Sequence, residues 1–259
     1  MRLFASCFQA AVVLFLSGCD KSPTSASPST GDVAVFAGGG VWMPSLTAVL
    51  AVLHSQGLSA DTISEAGQLA NNLRDHQLLI IPGGNPDDLL PELGPVGRSA
   101  IIEFVNNGGG CIGLGGGAAI LARMVNDREG IPLLNGTTHW PLDAIAPYPE
   151  YRLIDIRLTS PNHPIGMGGR TEYTTLYRWG PDFSPSDSAL AEVIYRYEAT
   201  DTPAAVAFDF GFGRVFLAGF QPEIEENSDR DSTDFASELT DPDSEWDILI
   251  RAIDFCWPY

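Results

Sequence analysis

The sequence predicts an α/β fold: a mostly parallel sheet with helices on both faces and an antiparallel extension in its second half. Three observations carry this. Short apolar runs ending in glycine alternate with helical stretches through residues 32–124. The glycine clusters at 38–40, 83–84 and 115–117 all fall where such runs end. From residue 151 onward, β-rich segments follow one another with turn residues between them.

The elements follow in order. DVAVFAGGG is an apolar, β-branched run that reads as a buried strand. Residues 44–56 carry Leu46, Val49, Leu50 and Leu53 at helical spacing, and Gly57 is the stop. Residues 60–64 read as a short second strand, and QLLIIPGG as a third. Residues 96–107 form a helix on Ile101, Ile102, Phe104 and Val105, with Gly108 past its end. CIGL is the next strand, and residues 118–124 read as a helix. In the second half, YRLIDIRL, TEYTTLYRWG, EVIYRYE, AAVAFDF and GRVFLAGF are strands. A last helix starts near Thr240-Asp241-Pro242, a cap followed by proline, with Trp246, Leu249, Ile250 and Ile253 as its apolar face. In such a sheet ligands bind beyond the carboxyl ends of the strands, so the three glycine clusters converge on one crevice. Glycine permits close backbone approach there and presents bare N–H groups to an anion.

The amino terminus reads as an export signal. Arg2 precedes an apolar run over residues 4–16, broken only by Ser6 and Gln9. That run is shorter than the roughly 20 residues of a membrane span. It ends in Leu16-Ser17-Gly18-Cys19, which resembles the lipobox of bacterial lipoproteins and implies cleavage before Cys19 and its lipidation. The expected organisation is a signal peptide at 1–18, a lipid-anchored linker at 19–31 and one domain at 32–259. The small, polar, proline-rich linker cannot build a core. The expected location is the bacterial cell envelope, facing the periplasm. Asp20 resembles an inner-membrane retention signal of enterobacterial lipoproteins but leaves inner and outer membrane open.

The formal charge of −19, with Lys21 the only lysine, argues against a nucleic-acid partner and against electrostatic attraction to anionic lipid. Membrane contact is expected through the lipid alone. Of the four cysteines, Cys111 and Cys256 belong to the domain, and either a disulfide or two buried thiols fits an oxidising compartment.

Residues 108–119, GGGCIGLGGGAA, form a strand, a glycine turn and a helix start. Many α/β enzymes mount a nucleophile on such a turn, yet its tip is Gly115. The segments VAVFAGGG, LLIIPGG, FVNNGGGCIGLGGGAA, PNHPI, YRWGPDF and FGFGRVFLAGFQPE, in that order, resemble the domain at the amino end of some biotin–protein ligases. Many free-standing bacterial proteins carry that domain too. It belongs to the class I glutamine amidotransferase-like superfamily, and the resemblance covers about residues 32–257.

The resemblance implies a flavodoxin-like sheet. It also implies a cysteine at the elbow, activated by a histidine that precedes Pro-Glu. Carried over, the nucleophile position is Gly115, the histidine position is Gln221, and the glutamate is retained as Glu223. Gly83, Gly84 and Gly116 remain as an anion-binding nest, and Gly39 lies at the first strand end. Glycine has no nucleophile and glutamine is no base near neutral pH. No catalytic residue is therefore expected. The expectation is a lipid-anchored binding or scaffold protein that takes a small ligand or an envelope partner at the glycine-lined crevice. The alternative is an amidase or hydrolase using non-standard residues.

No cofactor is expected. Gly113-Leu114-Gly115-Gly116-Gly117-Ala118 matches a dinucleotide fingerprint only formally, since it does not follow the first strand and no acidic residue closes a strand about 20 residues later. No metal is expected either. Residues 223–247 hold eleven acidic residues and one arginine. Asp229-x-Asp231 and Asp241-x-Asp243-x-Glu245 lack the glycine and twelfth-position glutamate of a calcium loop, so the stretch reads as solvated. His139 and His163 read as loop-ordering residues. Trp42, Trp140 and Trp179 read as core or rim, with a sugar platform as the sharper alternative.

Overall fold

The computed structural model describes residues 32–258, apart from 188, 227, 242 and 243. The signal peptide, Cys19 and the linker expected from the sequence lie outside the described residues. None of the described helices is long and apolar enough to cross a membrane.

The strands are β1 (Val33–Phe36), β2 (Ala60–Ile63), β3 (Leu78–Ile81), β4 (Gly110–Leu114), β5 (Ala122–Val125), β6 (Arg128–Glu129) and β7 (Leu134–His139). The second half adds β8 (Arg152–Leu158), β9 (Glu172–Tyr177), β10 (Asp182–Pro185), β11 (Glu192–Tyr197), β12 (Pro203–Phe210) and β13 (Gly213–Ala218). The helices are α1 (Met43–Ser55), α2 (Ala66–Asn72), α3 (Pro86–Asn106), α4 (Gly115–Ala119) and α5 (Trp246–Cys256).

Nine strands form one sheet in the order β2-β1-β3-β4-β13-β12-β11-β8-β9. The sheet is mixed. From β2 to β13 all four pairings are parallel, and from β13 to β9 all four are antiparallel. The expected parallel character therefore holds for only half of the sheet, because the antiparallel extension is as wide as the core it joins.

Alternation along the strands sends side chains into two cores. Val33 and Val35 of β1 join α1 and α5 on one face. Ala34 and Phe36 join α2 and α3 on the other. All four residues of β1 and of β3 are buried, as a strand covered on both faces requires. Each fully buried Val, Leu or Ile contributes about 1.5–3 kcal/mol. Four tyrosines fill the α1/α5 side of the antiparallel half. Tyr173–Tyr195 and Tyr177–Tyr197 stack edge to face with ring centres 5.9 Å apart.

Three expectations are corrected. Residues 118–124 are not a helix: α4 is a single turn, and the chain continues as β5. Ile120 and Leu121 give their carbonyls to Ile131 N and Leu134 N, which draws the chain into a second sheet, β10-β7-β5-β6. α3 starts ten residues earlier than the sequence pattern shows, at Pro86, capped by Asn85 Oδ1 accepting from Asp87 N at 3.0 Å. Pro91, Gly94 and Pro95 read as breakers, but here they only kink the helix, at Gly94 (φ 52°). α5 starts at Trp246 rather than near Thr240. Instead, Asp241 is buried and Ser244 donates to Glu225 Oε1 at 2.6 Å. Cys111 and Cys256 are free and buried, and Cys256 Sγ lies 3.6 Å from the Cys111 carbonyl.

Candidate functional site

The site forms where β4 and β13 run side by side in the middle of the sheet. Leu114 pairs with Ala218, so the residues leaving the two strands emerge together. Gly115 turns the chain out of β4 at φ +48°, in the left-handed region that side chains disfavour. Gln221 lies directly over it: a Cβ placed on Gly115 would sit 2.5 Å from Gln221 Nε2.

Gln221 is 1% exposed, and its amide is fully engaged. Its Oε1 accepts from Arg178 N at 2.8 Å, and its Nε2 donates to Arg178 O at 3.1 Å. The two chains meet because of Gly180 and Gly219. A Cβ on Gly180 would collide with the Gly219 carbonyl, so only glycine lets these backbones touch. Tyr177 and Tyr197 hold the same segment from inside, donating to Gly180 O and Pro181 O at 2.8 Å each.

Glu223 is fully buried. Ser45 Oγ, on α1, donates to Glu223 Oε1 at 2.5 Å and accepts from Gly83 N at 2.8 Å. Burial pushes the Glu223 carboxyl up to about 8, a rise that the Ser45 hydrogen bond only partly offsets. The chain therefore runs from a carboxyl through a serine to the N–H of Gly83. Trp246 Nε1 donates to the Glu223 carbonyl at 2.8 Å, tying this loop to α5.

Of the seven positions singled out in the sequence, six come together and are buried: Gly83, Gly84, Gly115, Gly116, Gln221 and Glu223. Gly39 is exposed, on the far side of Gly40 and facing Glu92. The glycines pack loop against loop. A side chain on Gly116 would run into the Gly84 carbonyl, and one on Gly84 into the Gly40 carbonyl. The N–H of Gly83 is already taken by Ser45.

Above the elbow lies a rim that gathers the three tryptophans singled out in the sequence around a residue that was not, Arg178. The Arg178 guanidinium sits between Trp42 and Trp179, 4.2 and 3.8 Å from their ring centres. Burial lowers Arg178 to about 10. Tyr148 stacks on Trp179 at 4.5 Å and is 70% exposed. Trp140 Nε1 donates to Trp179 O at 2.5 Å, and Trp179 itself has φ 50°. The scattered tryptophans thus meet at one place. The sequence offered these tryptophans as core or rim; the arginine between two of them it did not mark.

The remaining candidates lie elsewhere. His139 Nδ1 bonds Asp182 Oδ1 at 2.7 Å across the β7–β10 pair. His163 Nδ1 accepts from Ile165 N at 3.2 Å and orders its own turn. Cys111 is fully buried, and desolvation pushes its thiol far up, so no thiolate forms near neutral pH. Glu225, Glu226, Asp231, Asp241 and Glu245 are buried. With Glu223, six of the ten acids described in the stretch are thus buried, against the solvated loop expected from its composition.

No family model matches the chain, and no curated protein matches it. Solved structures do. A ThuA-like protein from Bacteroides uniformis superposes with a TM-score of 0.60 at 12% identity, over 91% of this chain and 94% of that one. A glutamine amidotransferase from Thermotoga maritima gives a TM-score of 0.54 at 14% identity, over 74% of this chain and 77% of that one. This chain has a glutamine amidotransferase-like fold. A cytoplasmic protein from Salmonella typhimurium shares it too, with a TM-score of 0.55 at 14% identity, over 88% of this chain and all of that one.

Two predictions follow from the amidotransferase-like elbow and its buried carboxyl. Gly115→Cys puts a side chain at a left-handed position and against Gln221, and it should cost about 1–3 kcal/mol in a denaturant titration. Adding Gln221→His should give a thiol that iodoacetamide alkylates faster than the single variant's, because an adjacent imidazolium favours thiolate. Equal rates would mean that position 221 does not act on the elbow. The second concerns pH. Glu223 holds its proton in the folded chain up to about 8, whereas its ordinary value is 4.5. Its stabilising effect is complete below that ordinary value and is lost as pH rises through the folded one. Folding stability should fall across this window, by at most about 1.4 kcal/mol per pH unit for this one group. Glu223→Gln, which mimics the protonated form, should flatten the profile. An unchanged slope in chemical unfolding would show that Glu223 is ionised in the folded state.

Proposed function

We propose that this chain is a lipid-anchored, non-catalytic binding or scaffold protein built on an amidotransferase-like fold. The single observation that carries it is Gln221. An amide stands over the elbow where a base is needed, and both of its polar atoms are bonded to the Arg178 backbone. Opposite it, Gly115 offers no nucleophile. The order of motifs supports kinship with the biotin–protein ligase amino-terminal domain. The strand order β2-β1-β3-β4-β13 supports a flavodoxin-like core for the parallel half.

A ligand or partner approaching the crevice meets its rim first. Trp42, Arg178, Trp179 and the exposed Tyr148 offer stacking faces around one cation. Such a surface fits a planar or anionic group. The packed glycines below serve as its floor. Hydrolysis would need another nucleophile within reach of solvent. Ser45 has a carboxyl partner at 2.5 Å, but both side chains are fully buried.

The full-length chain should release no ammonia from glutamine above the background of a Ser45→Ala/Glu223→Gln variant. Ammonia release lost in that variant would instead favour the hydrolase reading. A thermal-shift screen against amides, small anions and glycans should find ligands whose effect disappears in Arg178→Ala. Mass spectrometry of the mature protein should find its amino terminus at Cys19, acylated. A free Cys19 thiol, or cleavage elsewhere, would remove the anchor from this reading.

A further inference from the structure

Besides Glu223, the buried acids of the 223–247 stretch divide into two groups. Asp231 is met by backbone: its Oδ2 accepts from Glu225 N at 3.0 Å and its Oδ1 from Thr233 N at 3.1 Å. Glu225 is met by Arg230 at 2.5 Å and by Ser244 at 2.6 Å. Arg230 is the one basic residue in the stretch. Its guanidinium is committed to Glu225, Ser244 and the face of Trp246, 4.0 Å away.

The second group is Glu226, Asp241 and Glu245. One carboxylate oxygen from each lies within 4.8 Å of the others. The three residues are only 5%, 5% and 1% exposed. Glu226 Oε1 is buried and has no hydrogen-bond partner. The strongest charge effects on Glu226 come from Asp241, Glu225 and Asp231, all of its own sign. Three clustered carboxylates away from water cannot all stay ionised without a compensating positive charge.

We propose that Glu226, Asp241 and Glu245 bind a calcium ion, which ties the loop after β13 to the start of α5. Calcium takes oxygen ligands at about 2.3–2.6 Å, so two ligands on opposite sides of one ion lie about 4.8 Å apart. Three oxygens that all lie within 4.8 Å of one another can surround such an ion. Magnesium demands near-ideal octahedral geometry and dehydrates reluctantly, so a buried carboxylate cluster suits calcium better. The remaining ligands would be water or backbone carbonyls. The sequence pattern showed Asp241 and Glu245 only as part of an incomplete calcium loop, because the third ligand, Glu226, comes from a separate segment. The loop it would fasten also carries Gln221 and Glu223, so the ion would brace the elbow from behind. The proposal does not depend on the functional reading above.

Calorimetry on the full-length chain, stripped with EDTA, tests this. Calcium should bind at one site with a Kd of about 1 mM or tighter and raise Tm, and magnesium should do so more weakly. Glu226→Gln and Glu245→Gln keep the side-chain shape and should each weaken calcium binding about tenfold or more. Terbium should luminesce on tryptophan excitation through neighbouring Trp246, and calcium should quench the signal, a readout that needs no variant. Absence of both a calcium heat and a calcium-dependent Tm shift would overturn the proposal. So would undiminished calcium affinity in the Glu226→Gln/Glu245→Gln double variant, or terbium emission that calcium leaves unchanged.

Discussion

The parallel pairing of β4 with β13 is the constraint on which the rest depends. It joins the parallel and antiparallel halves of the sheet, and among the described residues it is the only strand pairing between them. It also sets the register that brings Gly115 and Gln221 out at the same level. Both strands are buried along almost their whole length, so a slip of one residue would turn the core-facing side chains to the wrong face. The site inherits its geometry from that register rather than from the loops.

Around this centre, polar groups do the work that a rigid hydrophobic contact does elsewhere. Glu223, Ser45 and the Gly83 N–H link the β13 exit to α1 and to the β3 exit. Gln221 links the same exit to the Arg178 backbone. Each buried group that loses its partner costs about 1–3 kcal/mol. The three strand exits are therefore fastened to one another by groups that tolerate little movement. A rim of stacked arginine and tryptophan side chains above them gains a fixed platform.

Much of the parallel half was legible in the sequence, since its strands are continuous apolar runs punctuated by glycine. The small sheet was not. In β7 the inward positions are Leu134, Gly136 and Thr138, so alternate burial leaves no hydrophobic alternation to read. The first turns of α3 were hidden by Pro91, Gly94 and Pro95, which act as breakers locally but are carried here by packing of Leu89, Leu90 and Leu93. At the site, it was the family resemblance carried by CIGLGGG and FQPE, rather than any local pattern, that paired Gly115 with Gln221. Ser45 and Arg178 carry no local signal, because their roles come from contacts over 178 and 43 residues. The acidic stretch misled for a related reason: composition describes charge, whereas burial is decided by what packs over it.

The bonding of Gln221 makes this position hard to substitute. Its amide meets the N–H and the C=O of one residue, as a peptide group does in a strand ladder. A neutral imidazole has one donor and one acceptor as well, but they lie on different edges of a rigid ring and cannot face the same peptide pair. Histidine at position 221 would therefore leave part of the Arg178 backbone unmet. The glutamine acts as an added rung of the sheet, fixing two strand exits to each other, and any side chain without a matched donor and acceptor on one edge removes that rung.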